Sequence, residues 1–118
     1  MKFSINQQDL QKSLNYCQGV IEKRSTLQIL SNVLLDASNS KLTITATDLD
    51  LIFIHKIPNV EILEEGKTTT SSSITYDIVR KFSSGKKINF STVGENKIHL
   101  VSEKSDFNLN CINASEFP

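Results

Sequence analysis

The stretch "KTTTSSSITYDIVRKFSSG", residues 67–85, decides the fold, because it repeats in new letters a plan already written at the start of the chain. Thr68 to Thr70 suit a strand and run into serines able to cap a helix. Ile74, Ile78, Val79 and Phe82 then lay an apolar stripe on that helix until Gly85 stops it. At the chain start, Lys2-Phe3-Ser4-Ile5 alternates polar and apolar, so Phe3 and Ile5 share one face of a strand. Asn6 follows as an N-cap with Asp9 three residues on as a partial capping box, and Leu10, Leu14, Cys17 and Ile21 recur at helical spacing until 19–24 loosens the pattern.

Three strands follow each helix. After the first come "ILSNVLLDA" from Ile29, a turn at "SNS", the alternating Leu42 to Ala46, and "LDLIFIHKI" ending at Pro58. After the second, Ile88, Phe90 and Thr92 alternate, "VGEN" turns the chain, and Ile98 and Leu100, then Phe107, Leu109 and Cys111, alternate in their turn. With the turn at Glu65-Gly66 between them, the halves fall at about 1–62 and 63–118. The expected fold class is α+β: two β-α-β-β-β halves with approximate two-fold symmetry, and two helices packed on continuous antiparallel sheet, within a single domain of 118 residues.

Composition bounds the function. Apolar content of 38% and charged content of 22% exclude a disordered chain and a membrane span. Cys17 and Cys111 lack a metal-type spacing, and no signal-peptide pattern precedes Phe3, so the expectation is two free thiols in a reducing cytoplasm. Net charge is zero, yet its distribution is uneven. Segments 7–24 and 72–87, the helices with their exits, hold Lys12, Lys23, Arg24, Arg80, Lys81, Lys86 and Lys87 against Asp9, Glu22 and Asp77, a balance of +4 that the remainder offsets with −4. Chance clustering of solvated charge and a cationic helical face both fit this distribution.

"TATDLDLIF", residues 45–53, tests for an enzyme. Asp48 falls at the corner between two strands, where a carboxylate accepts from nearby backbone N–H groups, and Asp50 falls at an exposed strand position. Catalysis or metal binding needs partners, but His55 and His99 stand at no spacing that identifies a site, so the turn is favoured. The chain also has no Gly-x-Ser-x-Gly and no phosphate-cradling loop among its four glycines. Cys17 lies on the apolar stripe of its helix, as a buried inert thiol would. No catalytic residue, metal or cofactor is expected.

"MKFSI" at 1–5, the Leu10/Leu14 helix, "RSTLQILSNVLL" at 24–35, "LTITATDLDL" at 42–51, "DIVRKF" at 77–82 and the closing "FP" together resemble the bacterial β sliding clamps, the processivity subunits of DNA polymerase III. The resemblance runs over the whole chain, which looks like the first of three such domains. It implies a non-catalytic protein whose two subunits join head to tail into a ring that encircles duplex DNA without reading its sequence. Helices would line the hole. On the matching positions Arg24 implies the main DNA contact, with Arg80 and Lys12 facing the hole; for Lys12 and Lys81 an ordinary solvated charge fits as well. Ser73 stands where the family often has a basic residue, and offers only a hydroxyl to phosphate.

The resemblance also implies a ring interface, in which an edge strand of the first domain pairs with an edge strand of the partner's third domain around an apolar plug. Phe107 and Leu109 with Ile78 and Phe82 match the plug positions, although their periodicity fits internal core equally. Lys97 and Lys104 lie near basic interface positions, and Asp106 stands where a basic residue is usual. The pocket that recruits DNA polymerase III and the clamp loader would lie between the second and third domains, outside this chain. Two other classes stay open on the residues alone: a stand-alone interaction module using an exposed strand edge, and a small carboxylate enzyme around Asp48 and Asp50.

Overall fold

Asn6 and Ser71 start two helices in the same way. The Asn6 carboxamide accepts from the Gln8 N–H at 2.9 Å and the Ser71 hydroxyl accepts from the Ile74 N–H at 3.3 Å, each taking over a donor that a helix start leaves unpaired. The computed structural model describes residues 1–21 and 27–118. Its elements are β1 (Lys2–Asn6), α1 (Gln7–Gln18), β2 (Asn32–Ser38), β3 (Lys41–Thr47), β4 (Ile52–Ile57), β5 (Glu61–Glu64), β6 (Gly66–Ser71), α2 (Ser72–Val79), β7 (Lys87–Val93), β8 (Lys97–Ser102) and β9 (Ser105–Asn110), with short 3-10 turns at Gln28–Ser31 and Ala114–Glu116.

The architecture is α+β, but the strands form two antiparallel sheets rather than one continuous sheet. One has the order β5-β1-β7-β8-β9 and the other β4-β3-β2-β6. The division arises from an exchange: β1 pairs with β7 of the second β-α-β-β-β run, and β6 pairs with β2 of the first. Each run therefore completes its sheet with the other's first strand. The registers put alternate residues on a common inner face, with Phe3 opposite Phe90 and Ile5 opposite Ile88 in one sheet, and Leu35 opposite Ile44 and Ala37 opposite Leu42 in the other. Phe3 and Phe90 stack with centroids 4.7 Å apart. Full burial of side chains of this size is worth roughly 1.5–3 kcal/mol each, and Leu10, Leu14, Cys17, Ile78 and Val79 bring both helices onto the same core.

Three details depart from the sequence expectation. Both helices are shorter than their apolar stripes. After Cys17 and Ile78 the bonds tighten to three-residue turns, Val20 to Cys17 at 3.0 Å and Phe82 to Val79 at 3.2 Å, which still return Ile21 and Phe82 to the core. Ile29 lies in a 3-10 turn and not in a strand. β5 was not expected, because its acidic residues and the exposed Leu63 hide any alternation; it pairs with β1 at the sheet edge.

Candidate nucleic-acid interface

Gln7, the first residue of α1, fixes how the helices meet. Its side chain is buried, and its Nε2 donates to the Val79 carbonyl at 2.9 Å and to Gln11 Oε1 at 2.7 Å. The start of α1 thus adds a second bond to a carbonyl at the end of α2 that already accepts from the Phe82 N–H at 3.2 Å. The two helices consequently lie side by side, and between them opens a cleft of about 420 Å³ lined by Gln8, Gln11, Lys12, Asn15, Tyr76 and Arg80 among others. Lys12 and Arg80, two of the sequence-derived candidates, share this surface.

Arg80 is exposed, caps the C-terminus of α2, pairs with Asp77 at 3.1 Å and lies 5.0 Å from the Tyr76 ring centroid. Asp77 and Tyr76 hold the guanidinium in place while leaving donors free for an anion. Lys12 is exposed and has no ion-pair partner among the described residues. Ser73 is half-buried in the first turn of α2 and does not line the cleft. Arg24, with Lys23 and Glu22, lies outside the described residues. The helical segments themselves are close to neutral, with the one cation Lys12 counted against Asp9 and Asp77, so the excess positive charge expected of them sits in their exits, in Arg80, Lys81, Lys86 and Lys87 on the described part. Between the cations the cleft is lined by amides, which composition counts do not reveal.

The candidate interface residues split into two groups. Ile78 and Phe82 are core, 7% and 6% exposed. Phe107 and Leu109 are half-buried on β9, an outer strand of its sheet, and pack against that core. Lys104 is exposed in the β8–β9 turn next to Glu103, whose φ is +52°. Asp106 is in contact with His99 on the neighbouring strand, and Lys97 donates to Asn110 at 3.2 Å, so both charges are engaged within the sheet.

The Thr47–Leu51 corner is closed by local bonds. Asp48 Oδ1 accepts from the Asp50 N–H at 3.0 Å and from the Leu51 N–H at 2.7 Å, and the Thr47 hydroxyl donates to the Leu51 carbonyl at 2.8 Å. This network holds Leu49 at φ +80°. Asp50 lies in the bend ahead of β4 and not on the strand. Among the described residues no three His, Cys, Asp or Glu side chains come together as a metal site would require, and no helix is long and apolar enough to cross a membrane. Both cysteines are free and buried, and burial pushes the Cys17 thiol up to about 11.

Residues 1–118 match the family model of the DNA polymerase III beta subunit, N-terminal domain. The chain belongs to this family. It is 36% identical to the beta sliding clamp of Caulobacter vibrioides and 33% identical to that of Escherichia coli K12, in each case over the whole chain and 32% of the relative. It also superposes on the crystal structure of the DNA polymerase sliding clamp from Caulobacter crescentus with a TM-score of 0.94 at 36% identity, covering all of this chain and 32% of that one. The chain therefore spans 32% of the length of the curated relatives it matches. Within the DNA polymerase III beta family, this chain is of the N-terminal domain class. The two helices and two antiparallel sheets are the clamp-domain fold. Sequence reasoning named Lys12 and Arg80 on this fold but missed Gln8, Gln11, Asn15 and Tyr76, which share their surface. The spacing of Gln8, Gln11 and Asn15, three and four residues apart on α1, was the available signal.

Proposed function

We propose that this chain is the first of three domains in a replicative sliding clamp, its halves meeting near residue 62, and that two subunits close head to tail into a ring around duplex DNA. The observation that carries this reading is the shared surface of Lys12 and Arg80, cations set among amides on two helices held together by Gln7. Such a surface suits sliding. A few phosphate contacts orient the duplex without sequence information, and neutral amides exchange bonds with phosphate and water at little cost. Arg24 is the further cation proposed on the DNA side, and the Ser73 hydroxyl a weaker contact.

In this reading β9 is the strand that meets the partner subunit's third domain, with Phe107 and Leu109 presenting the apolar plug, Ile78 and Phe82 supporting it from the core, and Lys104 at the rim. The role is non-catalytic and cytoplasmic: the ring tethers DNA polymerase III, and it meets that polymerase and the clamp loader through a pocket on the other two domains. Loading the full-length protein onto nicked circular DNA and then cutting the circle tests it. A clamp stays on circles and runs off linear molecules; equal retention on both would rule out encirclement.

A further inference from the structure

A second cleft, of about 350 Å³, lies on the other flank of α1, lined by Asp9, Lys12, Tyr16, His55, Lys56 and Pro58 among others. Residues 9, 12 and 16 are spaced to form one stripe of the helix, and His55 comes from β4, an outer strand of its sheet. The walls are fixed. His55 Nδ1 and the buried Ser13 hydroxyl share a 2.8 Å hydrogen bond, and His55 stacks on Phe53 with centroids 6.2 Å apart. Tyr16 meets both rings edge-on, at 6.2 Å from Phe53 and 5.5 Å from His55, yet remains 45% exposed. Lys12 and Lys56 are exposed and have no ion pair among the described residues, while Asp9 is the one carboxylate on the lining.

We propose that this cleft holds one nucleotide of a single-stranded nucleic acid, its base against the Tyr16 ring and its phosphate at Lys12 and Lys56. An aromatic surface held by its neighbours on a cleft lined by two lysines without ion pairs among the described residues is the combination that binds single strands, because an unpaired base exposes its face and every base has one. A base in duplex is stacked on both sides, so encircled duplex would leave Tyr16 unused. Lys12 borders both clefts, which places this site directly beside the proposed duplex surface. The proposal goes beyond encirclement, and it depends on that reading only for the nearness of DNA.

The test is anisotropy titration of the full-length protein with a labelled 12-mer of deoxythymidine at low salt, with dTMP as a competitor and retention on circular duplex measured in parallel. Tyr16→Ala should weaken binding of the 12-mer about tenfold or more, as expected for loss of one stacked base, while Tyr16→Phe keeps it and retention on circles is unchanged in both. Lys56→Gln, a change at an exposed side chain, should weaken binding and lower the salt slope by about 0.7 for one lost single-strand phosphate contact, and it serves as the test should Tyr16→Ala fail to fold. Unchanged affinity in Tyr16→Ala or in Lys56→Gln overturns the proposal. So does dTMP competing as well as the strand, which would mark a mononucleotide site. Loss of retention on circles in the wild type would strike the encirclement reading instead and leave these outcomes standing.

Discussion

Phe82 and Phe107 meet edge to face, with ring centroids 5.6 Å apart and planes at 66°. The first ring is 6% exposed in the turn after α2, and the second is half-buried on the outer strand β9. One residue is a core anchor, and the other stands between core and surface. Phe82→Ala should cost about 3–4 kcal/mol of folding stability, in the range for a buried phenylalanine. Phe107→Ala should cost less than half of that while loosening subunit association severalfold. Denaturant unfolding and sedimentation of the full-length protein read the two effects separately; an equal stability loss with unaltered association would make Phe107 plain core.

Asp48 should behave as a structural residue. Its carboxylate accepts two backbone N–H bonds, at 3.0 and 2.7 Å, so Asp48→Ala is expected to lower stability by about 1–2 kcal/mol. Asp50→Asn, in the exposed bend, should stay within about 0.5 kcal/mol of wild type. Thermal melts of the two variants suffice. A stability-neutral Asp48→Ala would remove the turn explanation and reopen a chemical role for this pair.

Much of this fold was legible because its periodicities are local. Asn6 and Ser71 announce helix starts, and the alternation of Leu42 to Ala46 or Ile88 to Thr92 announces strands. The exchange of β1 and β6 between sheets was not legible, since pairing Phe3 with Phe90 across more than 80 residues leaves no local mark. The same holds for the site. Lys12 and Arg80 stand out in the sequence as charges, but the amides around them join the same surface only through the packing of the two helices at Gln7. β5 was missed because an edge strand with acidic residues carries little apolar pattern.

Arg80→Ala should leave folding nearly untouched, since an exposed pair such as Arg80–Asp77 contributes about 0.5 kcal/mol or less. Its effect should appear on DNA. The dependence of log affinity on log salt should fall by about 0.9 for one lost duplex phosphate contact, and Lys12→Ala should act alike. Filter binding or anisotropy across a salt series measures the slope. A slope unchanged in both variants would move the DNA surface away from this cleft.

Cys17 supplies a pH dependence with a definite sign. Burial raises its thiol from 9.0 to about 11, so between those values the unfolded chain gives up its proton while the folded chain keeps it. Stability is fully present below pH 9 and declines as pH rises towards 11, by about 2–3 kcal/mol in all. Denaturant midpoints of wild type and Cys17→Ala between pH 8 and 11 should converge if the thiol is the cause. Alkylation at pH 8 should modify Cys17 only after unfolding.

The amide of Gln7 offers the most direct control over the proposed DNA surface. Its Nε2 joins Val79 of α2 to Gln11 of α1, and the Val79 carbonyl accepts one further bond, from the Phe82 N–H at 3.2 Å. Gln7→Ala removes a buried donor and leaves that carbonyl with the Phe82 bond alone, which should cost about 0.5–1.5 kcal/mol. The lost bond should also free the helices to shift relative to one another, changing the spacing of Lys12 and Arg80 across the cleft. Gln7→Glu keeps the size and removes the donor, and should therefore destabilise at neutral pH at least as much. Retention on circular DNA should fall in both variants even at temperatures where they remain folded. Full retention by a folded Gln7→Ala protein would show that the duplex does not depend on how these two helices are set.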